Sequence, residues 1–192
     1  MRVAKLRKPT TLSWIVAVAL ASLAILTACD PPPVNRDSAR PLETVKSVDL
    51  KRYLGTWYEI ARYDHSFERD CVGVTATYSE NPDGSIKVVN RCRKVTLDGP
   101  QDVAEGTARV LDRTSNAKLS VTFFWPFEGD YWILDLGPQY EWAIVGEPSG
   151  RYLWILSRTP QTDPALRQSL IEKLKAFGYN TNALIWVIQP TT

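Results

Sequence analysis

Tyr53-Leu54-Gly55-Thr56-Trp57-Tyr58-Glu59-Ile60-Ala61-Arg62-Tyr63 opens the folded part of this 192-residue chain. Leu50 to Leu54 is long enough for one helical turn. Gly55 then permits backbone angles that other residues resist. From Trp57 onward the aromatic, β-branched and bulky apolar content favours an extended chain. A glycine and a tryptophan two apart form a weak signal alone. Its meaning depends on the sequence around it.

Upstream, Arg2, Lys5, Arg7 and Lys8 precede an apolar run from Leu12 to Leu26, followed by Leu26-Thr27-Ala28-Cys29. A charged head, an apolar middle and small residues before a cut site make a secretory signal peptide, here residues 1–28. The run is short for a spanning helix, which needs about 20 residues. The leucine three residues before Cys29 resembles a bacterial lipobox. Such a cysteine carries a diacylglycerol on sulfur and, after cleavage, an acyl chain on nitrogen. An ordinary signal peptide or an uncleaved anchor is the alternative. The whole chain has a net charge of +2, and losing the four leader cations leaves −2. No basic stripe remains to argue for nucleic acid. Residues 29–47, with Pro31-Pro32-Pro33 at their start, lack periodicity and are expected to be a lipidated tether. Residues 48–192 then form one domain.

Short apolar runs follow one another with turns between them. Val72 to Ser79 alternates, with Val74, Ala76 and Tyr78 on one face. Asn81-Pro82-Asp83-Gly84 is a turn, and Ile86 to Arg93 is the returning strand. Val103–Leu111, Lys118–Trp125, Tyr131–Leu136, Tyr140–Val145 and Tyr152–Ser157 continue the pattern. The turn before Tyr131 is expected at Phe127-Glu128-Gly129-Asp130. Eight strands at near-regular spacing with short connections predict an all-β, antiparallel up-and-down barrel, whose closure removes exposed edges. Asp163 and Pro164 start a helix. Leu166, Leu170, Ile171, Leu174 and Phe177 give it one apolar face for the outside of the barrel, and Gly178 ends it. Leu184 to Ile188 is a short last strand beside the first.

Cys71 and Cys92 form an even pair in a secreted chain, which reads as a disulfide. Their spacing does not suit a zinc site, and no metal or cofactor is expected. If Asn81 and Gly84 close the hairpin, Cys71 lies near residue 94 and Cys92 opposite Gly73. A small bulge would bring the two together. Two free buried thiols are the alternative.

These parts resemble the lipocalin family. Arg52 to Arg62 and Tyr152-Leu153-Trp154-Ile155-Leu156-Ser157-Arg158-Thr159-Pro160 resemble the bacterial lipocalins more specifically, membrane-anchored lipoproteins similar to apolipoprotein D. The likeness covers roughly 48–190. The family's motif residues fall on Gly55, Trp57 and Arg158, with Arg158 implied to lie over Trp57 and close the barrel's narrow end. A guanidinium on an indole face contributes about 0.5–2 kcal/mol, and its fork can also bond nearby carbonyls. The second motif region keeps only Tyr140 of Gly137-Pro138-Gln139-Tyr140.

An eight-stranded barrel can hold one small ligand. Tyr78, Phe124, Tyr131, Tyr140, Trp142 and Trp154 are the candidates for its lining, with Tyr140, Trp142 and Ile144 as one inner set. An apolar pocket suits an acyl chain, and the resemblance implies fatty acids or lysophospholipids bound in the cell envelope for membrane maintenance or stress response. The membrane partner enters through Cys29. Outer membrane is the first expectation, and Asp30 resembles an inner-membrane retention signal. A homodimer is left open. Phe123-Phe124-Trp125-Pro126-Phe127 is expected near the rim, facing a membrane or a partner chain. The second functional reading is a lipid-modifying enzyme, an isomerase or esterase, on the same barrel. It needs an activated group. His65, the single histidine, is expected in a surface loop, and Glu59 is expected to pair with Arg158 or Arg62. A structural lipoprotein with a filled core is a third.

Overall fold

The computed structural model describes residues 31–191. The expected signal peptide 1–28, the lipidation site Cys29 and Asp30 lie outside the described residues. Asp49 caps the first short helix α1 (Leu50–Tyr53), accepting from Lys51 N and Arg52 N. The strands are β1 (Gly55–Arg62), β2 (Cys71–Glu80), β3 (Ile86–Lys94), β4 (Gln101–Val110), β5 (Lys118–Phe124), β6 (Phe127–Leu136), β7 (Trp142–Gly146) and β8 (Leu153–Ser157). Helix α2 (Pro164–Ala176) and strand β9 (Ile185–Trp186) end the domain.

From β1 to β8 each strand pairs antiparallel with the next, and β1 pairs with both β2 and β8, so the eight close into a barrel. Strand β9 lies beside β1 through Ala61↔Trp186 and Arg62↔Ile185. The α1, β2–β3, β4–β5 and β6–β7 segments gather at one end. The β1–β2, β3–β4, β5–β6 and β7–β8 loops gather at the other.

Two apolar layers result. Inside the barrel lie Trp57, Tyr78, Val88, Leu119, Ile133, Val145 and Leu156 with their neighbours. Outside, Leu170 and Leu174 of α2 pack on Ile60, Leu134, Trp142, Ile144, Leu153 and Ile155. Asp163 accepts from Leu166 N at the helix start, and Gly178 has φ +85°, as a helix-terminating glycine requires.

Three sequence expectations change. The β5–β6 turn is at Trp125-Pro126, because Phe124 pairs with Phe127; Glu128-Gly129-Asp130 is strand. Strand β7 starts at Trp142, because Tyr140 adopts φ +62° in the preceding turn. Finally, residues 32–47 are not a free linker. Leu42 packs into the outer layer, Asp37 N donates to Gly178 O at 2.9 Å, and Val45 N donates to Ile133 O at 3.1 Å.

Candidate functional site

The closed end is built from the opening stretch. Trp57 is wholly buried, and its Nε1 donates to Tyr53 O at 2.8 Å. The Arg158 guanidinium lies 3.7 Å from the centre of the Trp57 ring. Its Nη2 donates to Arg52 O at 2.7 Å and Leu54 O at 3.0 Å, and Nη1 to Thr56 O at 2.9 Å. The last carbonyls of a helix lack partners within it, and a cation is favourable there. Arg158 therefore finishes α1 and covers Trp57 at once. Gly55 has φ +93°, and a Cβ on it would stand 3.4 Å from Arg158 Nη1. Tyr140 belongs to this end as well: its hydroxyl accepts from Asp49 N at 2.8 Å, and Arg52 covers its ring at 4.1 Å.

Above this floor the barrel encloses a cavity of about 600 Å³. Tyr78, Tyr131 and Trp154 line it, with Phe124 at its rim. Trp142 and Tyr140 do not, and the inner set proposed for them is corrected. Strand β7 alternates as expected, but Trp142 and Ile144 point outward beneath α2 while Ala143 and Val145 point in. Because α2 covers the outside, both faces of β7 are apolar, and alternation alone cannot say which is inner. Tyr140 is held in the closed-end turn by its hydroxyl bond. Missed contributors include Tyr53 and Phe123. Phe123 follows Leu119 and Val121 at two-residue steps, a signal that was available.

Tyr53, Tyr78 and Tyr131 form a hydroxyl chain, with Tyr131 Oη 2.8 Å from Tyr53 Oη and 2.9 Å from Tyr78 Oη. Burial pushes all three phenols above their ordinary range, Tyr53 and Tyr131 strongly. Three hydroxyls own three protons, and two bonds between them use two. One proton is left for an oxygen in the cavity.

A buried ionic cluster stands beside the cavity. Glu59 Oε1 accepts from Arg62 Nη1 at 2.9 Å. Arg62 Nη2 donates to Glu68 O at 2.9 Å. His65 Nε2 lies 3.1 Å from Glu68 Oε2, which also accepts from Trp154 Nε1 at 3.3 Å. Glu59 and Glu68 border the cavity. Glu59 and Arg62 sit three apart on one strand yet meet, because the β1–β8 register shifts between Glu59 and Ala61. Such a bulge re-aims the residues beyond it. His65 is buried, not a surface residue, and stacks on Phe67 with ring centres 3.9 Å apart. Burial, then the charge of Glu68, push the Glu59 carboxyl well above its ordinary range. Burial acts on Glu68 in the same direction, but the hydrogen bond and charge of His65, with the charge of Arg62, outweigh it and lower that carboxyl.

Cys71 and Cys92 are joined by a disulfide across β2 and β3, with Cα atoms 5.5 Å apart. Cys71 pairs with Lys94, and the register shifts between Val72 and Thr75, where Gly73 takes φ +58°.

The lipocalin-like domain family matches residues 48–189. The outer membrane lipoprotein Blc of Escherichia coli (strain K12) is 40% identical over 176 residues, covering 92% of this chain and 96% of the relative. Apolipoprotein D of Bos taurus is 32% identical over 148 residues, 72% of this chain and 70% of the relative. Among solved structures, insecticyanin from the tobacco hornworm Manduca sexta superposes with a TM-score of 0.62 at 20% identity, over 85% of this chain and 88% of that one. At that identity the superposition speaks for the fold alone.

Proposed function

The chain belongs to the lipocalin family, and on that premise we propose that it binds and carries amphipathic lipids, fatty acids or lysophospholipids, within the cell envelope. The observation that carries this reading is the cup: about 600 Å³, lined chiefly by apolar and aromatic side chains and bordered by a few polar groups. Ligand sites of this kind span about 300–1,000 Å³ and use sparse polar groups to orient their cargo. An acyl chain fills the apolar part. The spare Tyr hydroxyl and the Glu59–Arg62–His65–Glu68 cluster offer polar ends for a headgroup or ester.

Placement in the envelope draws on the lipobox at Cys29 and on the relatives described as outer membrane lipoproteins. We take the outer membrane as the working assignment, with Asp30 as the reason to test the inner one. Maintenance of the membrane under stress is the role that follows. A lipid-modifying enzyme finds less support: His65 is held by Glu68 and Phe67, and Cys71 and Cys92 hold each other.

Tryptophan fluorescence of the mature protein, titrated with lysophospholipid and separately with fatty acid, tests the proposal. Saturable change with at least one is the expected outcome. A flat response to both, together with no lipid extracted from the purified protein, would favour the structural lipoprotein.

A further inference from the structure

The described chain starts at the mouth of the barrel, although its first helix lies at the closed end. Arg151, in the β7–β8 loop, donates from Nη1 to Pro32 O. Asn35 N donates to Gly150 O of the same loop at 2.9 Å. The arm then descends the outer wall, and Val48 N reaches Ser115 O in the β4–β5 turn at 2.7 Å. Glu147 and Tyr152, which flank the β7–β8 loop, border the cavity. The chain therefore enters the domain beside the cavity's opening. Three residues further back stands Cys29, a reach of about 10 Å at full extension.

The mouth is also where apolar side chains stand in the open. Phe124, Trp125 and Phe127 of the β5–β6 hairpin are 79%, 87% and 76% exposed. Phe67 of the β1–β2 loop and Val95 of the β3–β4 loop join them, with Val34 on the arm itself. Among the described residues, the closed-end turns contribute only Leu111 to the large exposed apolar side chains. The asymmetry is not explained by the barrel's own core, which these residues do not enter. Charges at the mouth are mixed, Arg69 and Arg93 standing with Asp70, Asp98 and Glu128.

We propose that the barrel mouth docks on the bilayer in which Cys29 is anchored, with Phe124, Trp125 and Phe127 entering its interfacial layer, so that acyl chains pass between bilayer and cup without crossing water. This rests on the lipid anchor of the preceding reading. The short leash holds the mouth within reach of the surface. Aromatic rings favour the membrane interface, and apolar faces there sink about 5–10 Å. The acyl chains on Cys29 are enough to hold the protein on the bilayer; the hairpin adds an apolar contact that fixes the mouth against it. Because the rim has no cationic excess, docking is apolar and insensitive to salt.

The test uses the mature lipoprotein reconstituted in phosphatidylethanolamine–phosphatidylglycerol vesicles, some with brominated acyl chains. The emission difference between the wild type and Trp125→Tyr reports Trp125 alone. The expected result is that bromine removes this emission, aqueous iodide does not, and added salt changes neither. Vesicle flotation and the mass of the Cys29 peptide check the anchor separately. An unacylated protein left in solution overturns both readings. An anchored protein whose Trp125 is quenched by iodide and spared by bromine overturns the docked mouth alone. Shielding from both quenchers with a doubled mass in detergent-free solution also overturns it, in favour of a second copy seated on the hairpin.

Discussion

Glu59 and Glu68 face the same cavity with opposite protonation tendencies, and the difference predicts how each substitution behaves. Glu59 is raised by burial and by Glu68, so the folded protein holds a proton there that the unfolded chain releases near the ordinary carboxylate value of about 4.3. Ionising it in the fold costs stability, and that cost is relieved as pH falls from the raised value toward about 4.3. Glu68 is lowered by His65 and Arg62 against its own burial. Its contribution is present above about 4.3 and is lost as pH falls through the lowered folded value. Wild-type stability therefore rises or holds on mild acidification and drops only below pH ~4. Glu59→Gln keeps an acceptor for Arg62, leaves stability unchanged or higher at pH 7, and abolishes the mild-acid gain. Glu68→Gln breaks a buried pair and costs about 3 kcal/mol at pH 7. Melting temperature against pH for the three proteins decides it; equal losses from both substitutions would reject the assignment. The Glu59–Arg62 pair was one of the two pairings expected from the sequence; the rest of this cluster's geometry was not legible beforehand. Sequence order placed Glu59 on the face of Trp57, but the bulge that turns Arg62 onto it leaves no mark in residue types.

At the scale of elements, the sequence was most readable where only one side of a strand is buried. Strand β2 alternates, and Val74, Ala76 and Tyr78 line the cup as their spacing implied. Strand β7 is buried on both sides, so its apolar run carried no inside or outside. The β5–β6 hairpin misled for a different reason. Its tip, Trp125-Pro126, sits among phenylalanines, while the polar run Glu128-Gly129-Asp130 carries turn-like residues inside a strand. Helix α2 was legible from caps and apolar spacing together. It is a lid on the outer wall, so it should support the barrel without touching the cargo. Leu174 is wholly buried there. Leu174→Ala should cost about 2–5 kcal/mol, read as a lower urea midpoint, with lipid affinity of the folded protein unchanged. A parallel fall in affinity would mean that the outer layer shapes the cup.

At the scale of the described domain, the protein is a barrel plugged at one end and left hollow at the other. Trp57, Arg158 and α1 complete the plug. The disulfide and the hydroxyl chain tie the walls, Cys71–Cys92 across β2–β3 and the three tyrosines across α1, β2 and β6. The hollow is lined in part by small side chains, Ala76, Val88, Ala108 and Val121, among larger ones such as Tyr131 and Trp154. A core that merely stabilised the barrel would fill this space, since interiors pack to crystal-like density. An unfilled apolar volume in an otherwise close-packed protein is therefore the feature that separates a carrier from a structural lipoprotein. Ala76→Trp places an indole in that volume from a strand whose register is fixed by β1 and β3. If the cup holds the acyl chain, the substitution weakens lysophospholipid and fatty-acid binding by roughly tenfold or more, about 1.4 kcal/mol at least. The folded protein keeps its melting temperature, because the ring enters space rather than displacing neighbours. Calorimetric titration beside a melting curve reads both at once. Wild-type affinity in a stably folded Ala76→Trp protein would move the cargo out of the barrel and onto its surface.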